Sequence, residues 1–506
     1  MVLVYSKEPY EGTPACAILC KAAGATLACL ERTAVASPNQ DHAKIQSHGL
    51  SEYIKRRTNT NVSFKISSIN FINKMNNQDK KVNIESLRKA YERFVPYKMY
   101  SLLGKNSISE LKLGDQTEIK LTILFSDIRD FTKISESLKP KESFDFINSY
   151  LEQMDHVISH HKGVIDKFIG DSIMALFPTN ADDAVICSLL MLNKLDQINA
   201  IRKIENQLPI KIGIGLNTGL CMLGIIGGIN KLETTVISDA VNLTARLESL
   251  TKKYGVQLLI SENTYFNLKD VSKYSIRFID RVVVKGKTKP QSIYEIYDNE
   301  GEEIKKLKDQ TKPLFEEALA YYHYKKINKA TELLEKCLAL NPNDNPAKLY
   351  LERCLLFSKE GFHDGAKELS QQIEWNYEFD VGDNKIDSQH LALFNNSVKL
   401  LNAIKSGVGS SEIDNLIAFL DNYVVHHFET EEKYLLDNNY PFIDHQKSQH
   451  LNFIKSFELL KSEIKSNIKS KTFIMFRIQT LLIDWIVNHT LKEDRHYAKY
   501  IKDNRN

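Results

Sequence analysis

Near residue 300 the spacing of apolar residues changes kind, and no single layer of secondary structure accommodates both halves of the chain. From 119 to 298, short runs of strand character ("KLTILFSDI", "IKIGIGLNTG", "CMLGIIGG", "VQLLIS") are interleaved with stretches of helical spacing such as "FDFINSYLEQMDHVISHH". From 309 onward the sustained patterns are helical, beginning with "FEEALAYYHYKKINKATELLEKCLALNP". Strands interleaved with helices argue for an α/β-type sandwich on one sheet, with hairpins where strands follow directly. After 387, helical segments separated by "SGVGSS", by "DNNYP" and by a Lys/Ser stretch near 465–471 predict an antiparallel four-helix bundle. The expected class is therefore multidomain, α/β plus all-α.

At 506 residues the chain accommodates about three domains. We divide it into an unassigned N-terminal segment over 1–80, for which disorder is one reading, and a helical connector over 81–114 kinked at Pro96. An α/β domain follows over 115–300, then a helical spacer over 305–372 spaced like one tetratricopeptide helix pair, and the bundle over 375–506. Lys plus Arg (67) barely exceeds Asp plus Glu (64), which removes any whole-chain argument for nucleic acid or an anionic membrane. Seven scattered cysteines fit reduced thiols in a cytoplasmic protein rather than a disulfide framework. No apolar run approaches the roughly 20 residues of a membrane span.

Within the α/β part, "DKFIGDSIMALF" places Lys167 and Asp171 in an otherwise apolar hairpin joined at a Gly-Asp turn. Buried charges without partners are strongly unfavourable, so these side chains belong at the lip of a cleft. Asp127 closes the strand "LTILFSDI". Carboxylates at the ends of neighbouring strands suit hard divalent cations, which prefer oxygen ligands and leave coordination free for phosphates. The plainer reading is that each carboxylate caps a turn.

Four ordered stretches, "LFSDIRDFT", "DKFIGDSIMALF", "TTVISDAVNLTARLES" and "VVVKGKTKP", together resemble the catalytic domain of class III nucleotidyl cyclases over nearly all of 119–298. The resemblance implies a ferredoxin-like α+β domain that converts ATP to 3′,5′-cyclic AMP and pyrophosphate. Asp127, the adjoining Ile128 and Asp171 fall on its positions for two Mg²⁺ or Mn²⁺ ions. Lys167 and Thr235 fall on the purine-reading pair, where a lysine suits adenine and guanylyl cyclases use a glutamate. Asn242 and Arg246 match the transition-state pair, and a spacing of four puts both on one helix face. Lys285 matches the lysine that holds the terminal phosphates, with Lys287 as a second donor. Ser238 departs from the glycine usual in that loop. Because the family site forms between subunits and this chain holds both halves, a head-to-tail homodimer is implied.

Seven of the fourteen histidines lie between 390 and 496, beside acidic residues at helical spacing. His427 and Glu431, four apart, project from one helix face and could grip one metal. "IDSQH", "HFETEE", "HLNF" and "WIVNHTLKED" resemble bacterial hemerythrin domains over about 377–502. That family holds a di-iron centre that binds O₂. Carried over, the iron ligands are His390, His427, Glu431, His450, His489 and Asp494. The remaining histidine of the pattern points to Gln446, with His445 one residue earlier. Residues five apart on an α-helix diverge by about 140°, so His445 is expected to serve as ligand only through a π-bulge or a helix start.

The combined expectation is a cytoplasmic adenylate cyclase regulated by a di-iron module sensing O₂, redox state or iron, coupled through the spacer. The alternatives are an O₂- or iron-binding protein using the cyclase fold as a dimerisation scaffold, and a guanylate cyclase.

Overall fold

The computed structural model describes Ser86 and residues 96–228, 231–283, 290–360, 380–406, 410–466 and 469–504. The N-terminal segment 1–80 and residues 81–85 and 87–95 of the connector lie outside the described residues; in its described part, helix Tyr97–Leu102 starts directly after Pro96.

Eight strands form one sheet: β1 (Gln116–Ile128), β2 (Val164–Ile169), β3 (Ser172–Phe177), β4 (Ile212–Gly228), β5 (Lys231–Ile237), β6 (Leu258–Ser261), β7 (Ile276–Val283) and β8 (Pro290–Ile296). They run in the order β2-β3-β1-β4-β6-β8-β7, with β5 paired to β4 beyond this path. Helix Pro140–His160 lies between β1 and β2, and helix Ala181–Ile204 between β3 and β4, giving the βαββαβ run of a ferredoxin-like domain. Among the described residues only β4 and β6 pair in parallel, which requires the crossover through helix Asp239–Tyr254.

Two sequence expectations need correction here. "IKIGIGLNTG" and "CMLGIIGG" are one strand of 17 residues rather than two. The turn-like "NTG" continues the strand because Asn217 is buried and bonded on both sides, donating to the Ala240 carbonyl at 3.1 Å and accepting from Ser261 Oγ at 2.7 Å. Strand β5, with exposed residues over most of its length, carries too little alternation to read from sequence.

One face of the sheet buries Leu124, Ile173 and Ile214 under Met154, Met191 and Leu195 of the two long helices. Helix Ala181–Ile204 passes the length and composition test for a membrane span, contrary to the expectation that no run would. Its Val185, Met191 and Leu195 are nevertheless buried in this core, which accounts for its apolar composition. Helix Asp239–Tyr254 approaches β4 so closely that a Cβ on Gly215 would lie 2.4 Å from Glu248 N, so glycine is what allows the contact.

Helices Glu302–His323, Ile327–Leu340 and Asn345–Glu360 follow; the first packs on β7, the second packs on the first and third, and Arg353 of the third donates to Asp280 on β7 at 3.0 Å. Arg277 on β7, wholly buried, donates to Glu295 at 2.5 Å and to both oxygens of Asp344 at 2.6 and 2.9 Å. Asp344 lies just before helix Asn345–Glu360, so the charge network ties this helical segment to the sheet.

The expected four helical segments are Asn384–Ser406, Ser410–Asp437, Ile443–Ser466 and a last one running from Lys471 to Asn504. The last is α-helical to Trp485, π-helical over Ile486–Asp494 and α-helical again from Arg495. This bundle docks directly on the sheet. Phe473 and Phe476 meet Phe278 at 5.7 Å, Arg281 pairs with Asp484, and Tyr265 donates to Glu463 at 2.6 Å.

Candidate functional site

Antiparallel pairing of β1 with β3 carries Asp127 to the β2–β3 turn, where Gly170 takes a φ of +66° that suits glycine. Ser172 Oγ donates to Asp127 Oδ1 at 2.5 Å, and Ile128 N donates to Asp171 Oδ2 at 3.2 Å. Burial, then a hydrogen bond to Asp127 and that group's charge, push the Asp171 carboxyl up to about 6. Two carboxylates held this close form a natural cation site, since a cation removes the repulsion between them. The donor set fits Mg²⁺ or Mn²⁺, for it is made of oxygen ligands.

Lys167 Nζ donates to Thr235 Oγ1 at 3.0 Å and to Glu233 Oε1 at 3.0 Å. Strands β2 and β5 are far apart in sequence, so the fold itself brings the two expected purine contacts together. Sequence reasoning missed both acidic neighbours of this lysine. Glu233 lies in the unread β5, while Asp166 looks like an ordinary strand residue. The Asp166 carboxylate has no hydrogen-bond partner within bonding geometry and is pushed up to about 6 by burial, with Lys167 Nζ 3.5 Å away.

Asn242 is exposed and Arg246 half-buried, one turn apart on helix Asp239–Tyr254. Ser238 caps that helix: its Oγ accepts from Ala240 N at 3.1 Å and donates to the Leu220 carbonyl at 2.8 Å. The departure from glycine thus carries its own stabilisation. Lys285 and Lys287 lie outside the described residues.

A second cluster lies inside the bundle. His390, His427, Glu431, His450, His489 and Asp494 come from all four helical segments and are each at most 3% exposed. Two triads, His390–His427–Glu431 and Glu431–His450–His489, each bring their ligand atoms within 4.8 Å and share one carboxylate. Asp494 closes the cluster, at 3.3 Å from His390 Nε2 and 3.2 Å from His489 Nε2. The π-helix makes this possible. Its hydrogen bonds span five residues, so His489 and Asp494 share a face that an α-helix would split by about 140°.

The expectation for His445 is not met. Its side chain is 44% exposed and turned to Glu493 at 3.5 Å, because helix Ile443–Ser466 is regular there and the π-turn lies on another segment. Gln446, 1% exposed, occupies the cluster instead.

Burial pushes His390 down to about 3 and His489 down to about 4, so both imidazoles are neutral and each carries one nitrogen lone pair. Burial alone would raise Glu431, but the imidazoles of His427, His450 and His489 crowded around it hold it well below the usual carboxylate range. Both nitrogens of His390, His427 Nε2, Glu431 Oε2 and Asp494 Oδ2 are buried without a hydrogen-bond partner. Converging buried lone pairs are costly unless a cation takes them up, and this donor set of imidazole and carboxylate suits iron. Outside the ligands, Gln389 meets His427 Nδ1 at 3.1 Å, Glu432 meets His450 Nδ1 at 2.8 Å, and Trp485 stacks on His489 at 3.8 Å. Such partners fix imidazole orientation, and only their adjacency to the ligands hinted at them.

Residues 114–297 match the family described as adenylate and guanylate cyclase catalytic domain, and residues 381–501 match the hemerythrin HHE cation binding domain. An adenylate cyclase of Anabaena cylindrica is 42% identical over 213 residues, covering 41% of this chain and 42% of the relative. The terminal-differentiation specific adenylate cyclase of Dictyostelium discoideum is 35% identical over 280 residues, covering 54% of this chain and 13% of the relative. Among solved structures, the adenylyl cyclase CyaB from P. aeruginosa is 33% identical, covering 37% of this chain and 97% of that one with a TM-score of 0.33. This chain therefore spans less than half the length of either curated relative.

Proposed function

We propose, from the premise that this chain joins a class III cyclase catalytic domain to a hemerythrin domain, that it makes cyclic AMP from ATP under the control of iron held in the bundle. The observation that carries the proposal is the pairing, within one chain, of Asp127 with Asp171 and of Lys167 with Thr235. Divalent cations held by Asp127, Asp171 and the backbone of Ile128 would raise the acidity of the 3′ hydroxyl and neutralise the triphosphate.

The remaining work falls to side chains. An adenine edge offers an acceptor ring nitrogen beside an amine donor; the Lys167 ammonium donates to the first and the Thr235 hydroxyl accepts from the second. Guanine reverses both roles and leaves the ammonium facing a donor, so ATP is the favoured substrate, as the names of the two adenylate cyclase relatives suggest. Arg246 donates to charge growing on the α-phosphate, Asn242 orients the ribose end, and Lys285 and Lys287 hold the departing phosphates.

Partner residues come from a second copy in a head-to-tail dimer. Supporting this, Leu220, Met222 and Ile226 on β4 and Leu232 and Ile237 on β5 leave apolar side chains exposed along one ribbon. In the bundle, His390, His427, Glu431, His450, His489 and Asp494 would hold up to two irons, supplying a centre that responds to O₂, redox state or iron supply. The cytoplasm is the compartment we assign, and we assign residues 305–372, described as far as residue 360, to a tetratricopeptide-like spacer between the domains. Coupling has a shorter route than the spacer alone: helix Lys471–Trp485 touches β7 and continues into the π-helix that bears His489 and Asp494.

The test is cyclic AMP production by purified protein with Mn²⁺, offered ATP against GTP, with the bundle reduced, oxidised and stripped of metal. Turnover that favours ATP, disappears in Asp171→Ala and changes with the bundle's state supports the proposal. No turnover in any condition sinks it, and turnover indifferent to the bundle sinks the regulatory half.

A further inference from the structure

Resting on the reading that the bundle binds iron, we propose that it holds one cation tightly, beside His390 and His427, and that the Gln446 amide takes the place of a second. The two triads differ in what lies between their ligand atoms. On the His390 side only acceptors and lone pairs meet: His427 Nε2 lies 3.2 Å from Glu431 Oε2, and His390 Nε2 lies 3.3 Å from Asp494 Oδ2. These four atoms are buried without a hydrogen-bond partner, and a cation is what would satisfy them.

On the other side the donor is already in place. Gln446 Nε2 stands 2.6 Å from Glu431 Oε1, 2.8 Å from Asp494 Oδ1 and 3.2 Å from His489 Nε2. Those are the atoms a cation on the His489 side would gather, so the amide nitrogen sits among them. Its two N–H groups satisfy the two inner carboxylate oxygens, and His489 Nε2 also meets His450 Nε2 at 3.2 Å.

Charge balance points the same way. Glu431 and Asp494 bring two negative charges when ionised, which one divalent cation neutralises. A neutral amide donates its hydrogen bonds without adding charge. An imidazole in place of the Gln446 amide would offer a lone pair instead and leave the inner oxygens unsatisfied until a second cation arrived. Without that imidazole, the second position binds on the order of a hundredfold more weakly than the first.

The experiment loads full-length protein with Fe(II) under nitrogen, dialyses it, counts iron per chain by mass spectrometry, and records electron paramagnetic resonance after oxidation. Wild type is expected to retain one iron per chain with the signal of an isolated high-spin ferric ion. Gln446→His is expected to retain two, with that signal lost to coupling between the ions. Because the introduced ring could disturb the fold, Gln446→Ala is measured as well, and it should take up a second iron weakly while keeping the first. His427→Ala should retain none. Two tightly held irons in wild type overturn the inference while leaving the proposed function standing; no retained iron overturns both.

Discussion

Removing the Asp484 carboxylate tests whether the bundle speaks to the cyclase sheet through its shortest charged contact. Both Asp484 oxygens accept from Arg281 Nη2, at 2.6 and 2.8 Å, and the side chains are 24% and 6% exposed. Breaking a wholly buried pair costs about 3–5 kcal/mol, whereas an exposed pair contributes about 0–1 kcal/mol. With Arg281 buried and Asp484 a quarter exposed, Asp484→Ala should cost about 2 kcal/mol. Glu262 softens the loss. Its carboxyl is pushed up to about 7 by burial and then by the charge of Asp484, so it can ionise once that charge is gone and partner the stranded guanidinium. Adding Glu262→Gln should therefore raise the cost to about 3 kcal/mol.

The same arithmetic bounds regulation. A contact cannot transmit more free energy than it holds, so about 2 kcal/mol limits the iron-dependent change through this pair to roughly 30-fold. Urea unfolding measures the first quantity, and cyclic AMP production with the bundle loaded and then stripped by chelator measures the second. Asp484→Ala should keep its basal rate within about twofold and lose most of the difference between the two states. If the full difference survives in Asp484→Ala while His427→Ala abolishes it, the reasoning about this route is wrong.

Asp171→Ala should lower ATP turnover at least about a hundredfold, and a chelator added to wild type should do the same, both read as product formed with Mn²⁺. Lys167→Glu would set a third carboxylate beside Asp166 and Glu233, so we expect about a hundredfold loss with ATP and no gain with GTP unless Glu233→Gln accompanies it; competition between the nucleotides decides this. His323, whose side chain is 4% exposed and whose ring stacks on Phe476 at 5.2 Å, is pushed down by burial to about 4 from an ordinary 6.5. The unfolded chain then binds the extra proton first, so stability present above 6.5 falls by about 3 kcal/mol as pH drops towards 4. His323→Gln should flatten that slope in urea unfolding measured at pH 7.5 and about 5.

The sheet and the bundle were readable because their apolar periods differ and because charged residues interrupt apolar runs at few places. Lys167 and Asp171 announce themselves in this way, and so do histidines spaced by four beside glutamates. Other features leave no periodic trace. A π-turn widens the helix without a residue type that marks it, so nothing local in "IVNHTLKED" tells that His489 and Asp494 share a face. Gln446 is chemically ordinary until its neighbours from two other segments are known. The strand through Asn217 hides behind turn-like residues whose hydrogen bonds are tertiary. Pairwise polar contacts between distant segments were illegible, whereas local spacing was not.

Arg277 has a consequence for how such chains can be cut and recombined. Its guanidinium is shared between Glu295 on β8 and Asp344, beyond the last strand, so a fragment ending near residue 298 keeps the arginine and loses half of its counter-charge. Losing one of two buried carboxylate partners costs part of the about 3–5 kcal/mol of a fully broken buried pair, a sizeable share of the roughly 5–15 kcal/mol that holds a domain together. The portable piece of this protein is accordingly longer than its catalytic motifs. Grafts that swap the helical bundle onto a foreign enzyme should place the seam after residue 344, not at the edge of the sheet.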